Sequence, residues 1–195
     1  KATERFPLVS LWDVKVYART IGVPKFLGVL GIKQVIVEKN IIKGSKSDPK
    51  DLALSENQDF ILVKDWNEIS LYNTKYALER LYPSDNIIGF GTLSEMCKLA
   101  EDSQWETLKH SVFVNTSSTP QTTDKILALP TDLAWIQRSP TSYEAHLQSR
   151  GAFILVFLEN YNPSWRLYVN GDEVSEANHM KVNAFANGWL IDTAG

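Results

Sequence analysis

The chain has 195 residues, of which 44% are hydrophobic and 22% charged, and its net charge is −3. This apolar content excludes an intrinsically disordered chain, and a negative net charge without a basic arm argues against nucleic-acid binding. Cys97 is the one cysteine, which excludes an internal disulfide. Such cysteine poverty fits a reducing cytosol and an exported prokaryotic domain equally well.

The first predicted elements mix helix and strand. Pro24 favours the first turn of a short helix, because its missing N–H is not needed there, and Gly31 favours the end of that helix. The β-branched run 33–38 predicts a buried strand. Segments 60–64 and 68–72 predict a pair of strands that turns near residues 65–67.

A capped helix is predicted after a short strand at 86–90. Thr92 can accept a hydrogen bond in the first turn, and Glu95, three residues later, completes a capping box. Apolar residues at helical spacing predict one buried face, made of Leu93, Met96, Cys97 and Ala100. A further strand is predicted at 112–115.

The polar stretch 115–125, rich in Ser and Thr, predicts the main boundary of the chain. Short strand-like runs separated by turn residues follow it, at 134–138, 142–148, 153–159, 166–169, 181–184 and 189–191. Asn170-Gly171 predicts a hairpin, because a type I′ turn needs positive φ at both central residues. The sequence therefore predicts an α+β fold: a small α/β unit at 1–115, and then an antiparallel, jelly-roll-like β-sandwich at 126–195 that can borrow strands from the first unit.

Catalytic, metal and cofactor patterns are not evident. Gly89-Phe90-Gly91 lies where phosphate-binding loops occur, but it lacks the further glycine and lysine of those motifs and predicts a tight turn. The histidines have no ligand at metal-binding spacing. Cys97 lies on the apolar helix face, which favours a packing role over that of a nucleophile. We therefore predict no catalytic residue, no metal site and no cofactor.

Aromatic residues are the more informative feature, since the chain has six tryptophans. Most are expected in the core, where large rings bury well. Tyr161 and Trp165 flank a proline turn at a strand end, and Glu159 precedes them. Exposed aromatic rings stack on sugars and carboxylates bind sugar hydroxyls, so Glu159, Tyr161 and Trp165 form a candidate ligand-binding site. A purely structural corner is the alternative.

Segment 153–172, FILVFLENYNPSWRLYVNGD, resembles a pattern near the end of YfhO-like membrane proteins. That pattern is an apolar strand, Tyr-x-Pro-Gly-Trp, a short strand and Asp-Gly. Tyr161, Pro163 and Trp165 match it, whereas Ser164 replaces glycine and Asn170 replaces aspartate. Segments 30–37, 69–80, 139–143 and 182–185 resemble further pieces of the family in the same order, with Glu79 replacing a proline.

The resemblance implies a polytopic membrane protein related to glycosyltransferases that use lipid-linked sugars. It implies that this portion is an extracytoplasmic, non-catalytic accessory domain, anchored through the membrane-embedded part of the same chain. Its partners would be that part and a glycan or lipid-linked sugar. The chain begins without methionine and ends after a strand-like stretch, so we expect a piece of a longer protein.

Two other hypotheses remain open from the sequence. A free-standing carbohydrate-binding or adhesion module would present an aromatic-lined surface and bind oligosaccharides alone. A soluble enzyme would need a cleft with converging ionisable groups, and no such cluster is evident in the sequence. Asn115-Thr116-Ser117 is a glycosylation acceptor triplet, which is consistent with an exported surface.

Overall fold

The computed structural model describes residues 23–38, 57–66, 69–118 and 127–192. Its first part is a short helix with a three-stranded sheet. Helix α1 (Val23–Val29) precedes strand β1 (Gln34–Glu38), and strands β2 (Phe60–Asp65) and β3 (Ile69–Thr74) follow. Strand β3 lies in the middle, antiparallel to β1 on one side and to β2 on the other.

The end of α1 follows from its glycine. Gly31 has φ +72°, a conformation that glycine adopts without steric cost. The next residue, Ile32, can then donate its N–H to the carbonyl oxygen of Leu27 over 2.9 Å, which satisfies one of the last carbonyls of the helix. The predicted helix with Pro24 in its first turn is confirmed.

Strand β1 lies where the sequence predicts it, but its predicted burial is wrong. Ile36 is 62% exposed, and on strand β2 Ile61 and Leu62 are 57% and 51% exposed. Tyr72 of β3 is buried in a cluster with Leu27 of α1. One face of this sheet is thus covered by α1, whereas apolar side chains remain exposed elsewhere on β1 and β2. A β-branched run is apolar on both faces, so it does not reveal whether a second layer covers the strand.

A parallel pair of strands and two helices follow. Strand β4 (Leu81–Ser84) leads into β5 (Asn86–Phe90), helix α2 (Leu93–Asp102), helix α3 (Trp105–Leu108) and β6 (Ser111–Asn115). Strands β5 and β6 pair in parallel, with Ile88 opposite Phe113. The helices form the crossover that a parallel pair requires.

Thr92 caps α2 as predicted, but the return bond of the predicted capping box goes to Gly91 rather than to Thr92 itself. Thr92 Oγ1 accepts from the N–H of Glu95 at 3.2 Å, while Glu95 Oε2 accepts from the N–H of Gly91 at 2.8 Å. Met96 and Cys97 are buried as predicted, but Leu93 is 47% exposed, so its predicted burial is wrong. Leu93 is the first residue of the helix, and the apolar face reaches the core only from the second turn onward.

The second half of the described chain is built on a four-stranded sheet. Its strands are β9 (Phe153–Phe157), β12 (His179–Val182) and β13 (Ala186–Ile191), joined by β4 from the first half. The order is β12–β13–β9–β4, with every pair antiparallel. All residues of β9 and β13 are buried, because the two central strands are covered on both faces.

Two hairpins cover one face of this sheet. Strands β7 (Thr131–Ser139) and β8 (Ser142–Gln148) form the first, and β10 (Tyr168–Val169) and β11 (Asp172–Glu173) form the second. The second turns at Asn170 and Gly171, with φ 53° and 94°, as the predicted type I′ turn requires. Side chains of both hairpins pack against the sheet residues Leu81, Phe153, Leu155, Phe157, Trp189 and Ile191.

The other face of the sheet packs on the parallel pair. Ile154 and Val156 of β9 share a buried cluster with Val112 and Val114 of β6. Phe113 points to the opposite side of β6, into a cluster with residues of α1 and α2. Fully burying each of these side chains contributes roughly 1.5–3 kcal/mol. The order of layers is therefore hairpins, four-stranded sheet, parallel pair and helices.

A buried asparagine joins the parallel pair to the sheet. Asn183, between β12 and β13, has φ 49° and is fully buried. Its Oδ1 accepts from the N–H of Phe113 at 2.9 Å, and its own N–H donates to the Phe113 carbonyl oxygen at 2.8 Å. Its Nδ2 donates to the Tyr82 hydroxyl at 2.8 Å, which donates onward to the Ser111 carbonyl oxygen. Burial raises the pKa of Tyr82, so this hydroxyl stays protonated as a donor.

The predicted α+β class is confirmed, and the chain is mostly β in the ranges described. The predicted jelly-roll-like sandwich stays a prediction, since the layer facing the four-stranded sheet consists of two hairpins. The predicted boundary also stays a prediction, because residues 119–126 lie outside the described residues. Strand β4, from the first predicted unit, does complete the sheet of the second.

Candidate functional site

The candidate site is the chain corner that follows β9, at residues 159–166. Asn162 opens a turn, because its Oδ1 accepts from the N–H of Ser164 at 2.9 Å and its carbonyl oxygen accepts from the N–H of Trp165 at 3.0 Å. Strand β9 has already ended at Phe157, and Pro163 has no N–H with which to rejoin a ladder. We call residues 159–166 the proline corner.

Asn187 of β13 fastens the proline corner to the sheet. This fully buried amide donates from Nδ2 to the carbonyl oxygen of Glu159 at 2.9 Å and to that of Asn160 at 3.3 Å. Its Oδ1 accepts from the backbone N–H of Asn162 at 3.1 Å. One side chain thus satisfies three backbone groups of an irregular segment, which fixes the path of the corner.

An aromatic stack lies beside the corner. The ring of His179 is parallel to Trp189, at 7° and 4.5 Å between centroids, and the ring of Tyr161 lies 5.1 Å from His179 on a 43° tilt. Trp189 is buried, His179 is half-buried and Tyr161 is 36% exposed. The stack therefore runs from the core to the surface and ends in the Tyr161 ring.

Arg166 ties the corner to the β10–β11 hairpin and the turn after it. Its guanidinium donates to the Pro163 carbonyl oxygen at 2.7 Å and pairs with Glu173 at 3.1 Å and Glu176 at 2.6 Å. The carboxylates of Glu173 and Glu176 therefore share the single guanidinium of Arg166. These ion pairs are partly exposed, so each is worth at most about 1 kcal/mol, and their main effect is on position.

Glu159 forms an ion pair with Arg80, which lies in the connection between β3 and β4. Its Oε1 lies 3.4 Å from Nε of Arg80, and the Arg80 guanidinium donates to the Tyr143 hydroxyl at 3.2 Å. The Glu159 side chain is 40% exposed, so one carboxylate can hold Arg80 and still accept from a ligand hydroxyl.

Two of the three predicted ligand-binding residues are exposed in the structure. Glu159 and Tyr161 both reach solvent at the start of the corner. Trp165 instead packs edge-on against Phe157 at 5.0 Å and lies 6.3 Å from Tyr143, in the cluster beneath the hairpins. Trp165 therefore has the structural role that was the alternative to ligand binding, whereas Glu159 and Tyr161 are exposed and can contact a ligand.

Nothing in the sequence distinguishes His179 from a surface histidine. In the structure its Nε2 atom has a defined hydrogen-bonding role. Asn187 Oδ1 accepts from a backbone N–H, so the His179 Nε2 atom 3.1 Å from that oxygen must carry a proton. Burial is the main cause that lowers the pKa of His179, and the positive charge of Arg166 lowers it further. The hydrogen bond to Asn187 and the negative charge of Glu176 raise the pKa and offset part of this lowering. The neutral ring is therefore favoured in the folded state.

We expect the folded chain to lose stability as pH falls because of His179. The unfolded histidine takes up a proton near pH 6.5, whereas the folded one does so only at lower pH, so the unfolded state binds more protons between these values. The free energy of unfolding should fall as pH drops through this window, and His179→Gln should reduce the fall. Urea denaturation at pH 7 and 5.5 measures this. A His179→Gln variant whose free energy of unfolding falls as steeply as that of the wild type would contradict this account.

The described ranges contain no group of three or more His, Cys, Asp or Glu side chains placed to hold a metal ion. Burial, with a smaller contribution from Glu101, raises the pKa of Cys97 to about 11, so its thiol is protonated and a poor nucleophile. Gly89 and Phe90 end strand β5, and the predicted tight turn to α2 consists of Gly91 and Thr92.

Comparison with known proteins adds no relative. No protein-family model matches this chain, and no curated protein or solved structure matches it at a significant level. Among the helices in the described part of the chain, none combines the length and the apolar character needed to cross a bilayer.

Sequence reasoning missed the residues that position the corner. Asn187 lies 25 residues after Asn162 and His179 precedes Asn187 by 8, and their side chains reach the corner because β13 pairs with β9 and β12 with β13. The sole sequence signal is an asparagine within an otherwise apolar strand, Ala186–Ile191. A buried polar side chain in such a strand must find partners, so Asn187 could have been singled out on that ground.

Proposed function

We propose that this chain is a non-catalytic domain that recognises glycan through the proline corner. The observation that carries the proposal is the exposed end of the aromatic stack, where the Tyr161 ring reaches solvent on a backbone fixed by Asn187. A ring supported from behind loses little conformational entropy when a ligand stacks on it.

The recognition follows from ordinary sugar chemistry. The exposed part of the Tyr161 ring offers an apolar surface to the C–H face of a pyranose, and the Tyr161 hydroxyl can donate or accept at its edge. Glu159 accepts hydrogen bonds from sugar hydroxyls while Arg80 balances its charge. A single platform of this size fits weak, millimolar-range binding of the kind that accessory domains strengthen by repetition or tethering.

Replacement of Tyr161 tests the proposal. We expect Tyr161→Ala to weaken oligosaccharide binding at least about tenfold, since a stacked ring contributes ~1.4 kcal/mol or more, and Tyr161→Phe to keep most of it. Isothermal titration with gluco-, manno- and galacto-oligosaccharides measures this. Tyr168→Ala is the matched control, because Tyr168 is 59% exposed on the neighbouring hairpin. Equal affinity of Tyr161→Ala and the wild type would remove the proposal.

We further propose that the domain belongs to a polytopic membrane protein related to lipid-linked-sugar glycosyltransferases, outside the cytoplasm. The support is the resemblance of segment 153–172 and the other ordered pieces to YfhO-like proteins. The exposed apolar side chains of β1 and β2 suit contact with the membrane-embedded part of the same chain. A free-standing carbohydrate-binding module would bind the same sugars, so the hydropathy of the full-length gene product separates the two.

A further inference from the structure

One acceptor triplet for N-linked glycan occurs in the sequence. Asn115-Thr116-Ser117 has the form Asn-x-Ser, and the similar Asn162-Pro163-Ser164 is blocked by its proline. Asn115 ends strand β6, and Thr116 and Ser117 are exposed in the turn that follows it. The triplet therefore lies on a surface turn, where an attached glycan can extend into solvent.

The triplet is folded so that its two ends meet. Asn115 Oδ1 accepts from the N–H of Ser117 at 2.9 Å and also from the Ser117 hydroxyl. Asn115 Nδ2 lies 3.5 Å from the Gly91 carbonyl oxygen. The hydroxyl that defines an acceptor triplet is thus beside the amide that would be modified.

These contacts survive modification. A sugar on Nδ2 replaces one amide hydrogen, and it leaves Oδ1 and the second N–H in place. Both bonds from Ser117 to Oδ1 can persist, and the remaining N–H can still donate toward Gly91. The hydrogen bonds of Asn115 with Ser117 and Gly91 are therefore compatible with an attached glycan.

We propose that Asn115 is a site of N-linked glycosylation. Nδ2 forms a bond to C1 of a sugar, the bond from C1 to the phosphate oxygen of a lipid-linked donor breaks, the lipid phosphate leaves, and one amide proton is released. A transferase that acts outside the cytoplasm catalyses this step with the lipid-linked donor, so in the native cell the modification rests on the proposed extracytoplasmic location. The glycan is a covalent attachment at the far end of β6, separate from the ligand proposed at Tyr161.

The test is secretion of the full chain from a glycosylating cell behind a cleavable signal peptide, followed by intact mass measurement. We expect one glycan mass on the wild type, release by peptide N-glycosidase with conversion of Asn115 to aspartate, and loss of the glycan in Ser117→Ala. Ser117→Thr should retain it, because threonine also supplies the hydroxyl.

A second variant serves as a positive control that the chain can be glycosylated in the same cells. Asp172→Thr completes a triplet that begins at Asn170, in the exposed β10–β11 turn. In the Ser117→Ala background it should restore one glycan. A wild type that leaves the cell unmodified, while the Asp172→Thr variant is modified, would overturn the proposal for Asn115. Because the signal peptide sets the location and mass is the readout, that failure is distinct from a failure of sugar binding at Tyr161.

Discussion

Asn183→Ala is expected to lower the free energy of unfolding by about 3 kcal/mol, since two buried hydrogen bonds to Phe113 and Tyr82 are lost and each such loss costs ~1–3 kcal/mol. The substitution also places alanine at φ 49°, where asparagine is better tolerated. Urea denaturation measures the change. For a chain of this size the same loss lowers Tm by roughly 6–12 °C.

Asn170→Ala is the matched control for Asn183. Asn170 has a similar φ of 53° but is exposed at a hairpin turn, so its replacement removes the backbone preference without a buried network. We expect a cost of about 1 kcal/mol there. If Asn183→Ala cost no more than Asn170→Ala, the proposed role of Asn183 in joining β6 to the sheet would be wrong.

Gly28→Ala is expected to destabilise the chain by about 2–3 kcal/mol, although alanine is the better helix former by ~1 kcal/mol. A Cβ on Gly28 would lie 2.7 Å from the carbonyl oxygen and 2.8 Å from Cβ of Tyr76. The first of these atoms is backbone, and the Gly28 carbonyl oxygen accepts from the N–H of Leu78 nearby, so the segment cannot move away freely.

The sign of the change in stability shows whether the close contact with Tyr76 or the higher helix propensity of alanine dominates in Gly28→Ala. Thermal unfolding of Gly28→Ala should show a lower Tm, whereas a raised Tm would mean that α1 does not approach residues 76–78 as closely as described. Gly91→Ala is the control, because within the described ranges its Cβ would meet the flexible end of the Glu95 side chain, at 3.3 Å, and no backbone atom. We expect that variant to remain within about 0.5 kcal/mol of the wild type.

Local signals predicted the elements well. The Thr92 cap, the end of α1 at Gly31 and the Asn170-Gly171 turn each depend on a few adjacent residues whose conformational preferences are strong. Burial was predicted less well, as Ile36 and Leu93 show, because it depends on which other element packs against a side chain. A periodic pattern identifies an apolar face, but it does not show which other element packs against that face.

The candidate site was predictable only in part. The proline turn and its aromatic residues are visible in the sequence, but the separation of Tyr161 from Trp165 depends on the direction of the chain after Pro163. That direction is set by Asn187 and Arg166, through hydrogen bonds to the backbone of the corner. Such bonds join residues distant in sequence, and a single sequence carries no pattern that pairs them.

Chemical-shift mapping of the ¹⁵N-labelled domain with the same oligosaccharide panel tests the central claim, that the proline corner binds glycan, most directly. Saturable shifts are predicted for the amides of Glu159, Asn160, Tyr161 and His179, with little change in the β7–β8 hairpin. No shift at millimolar sugar, or shifts confined to surfaces away from residues 159–166, would contradict it.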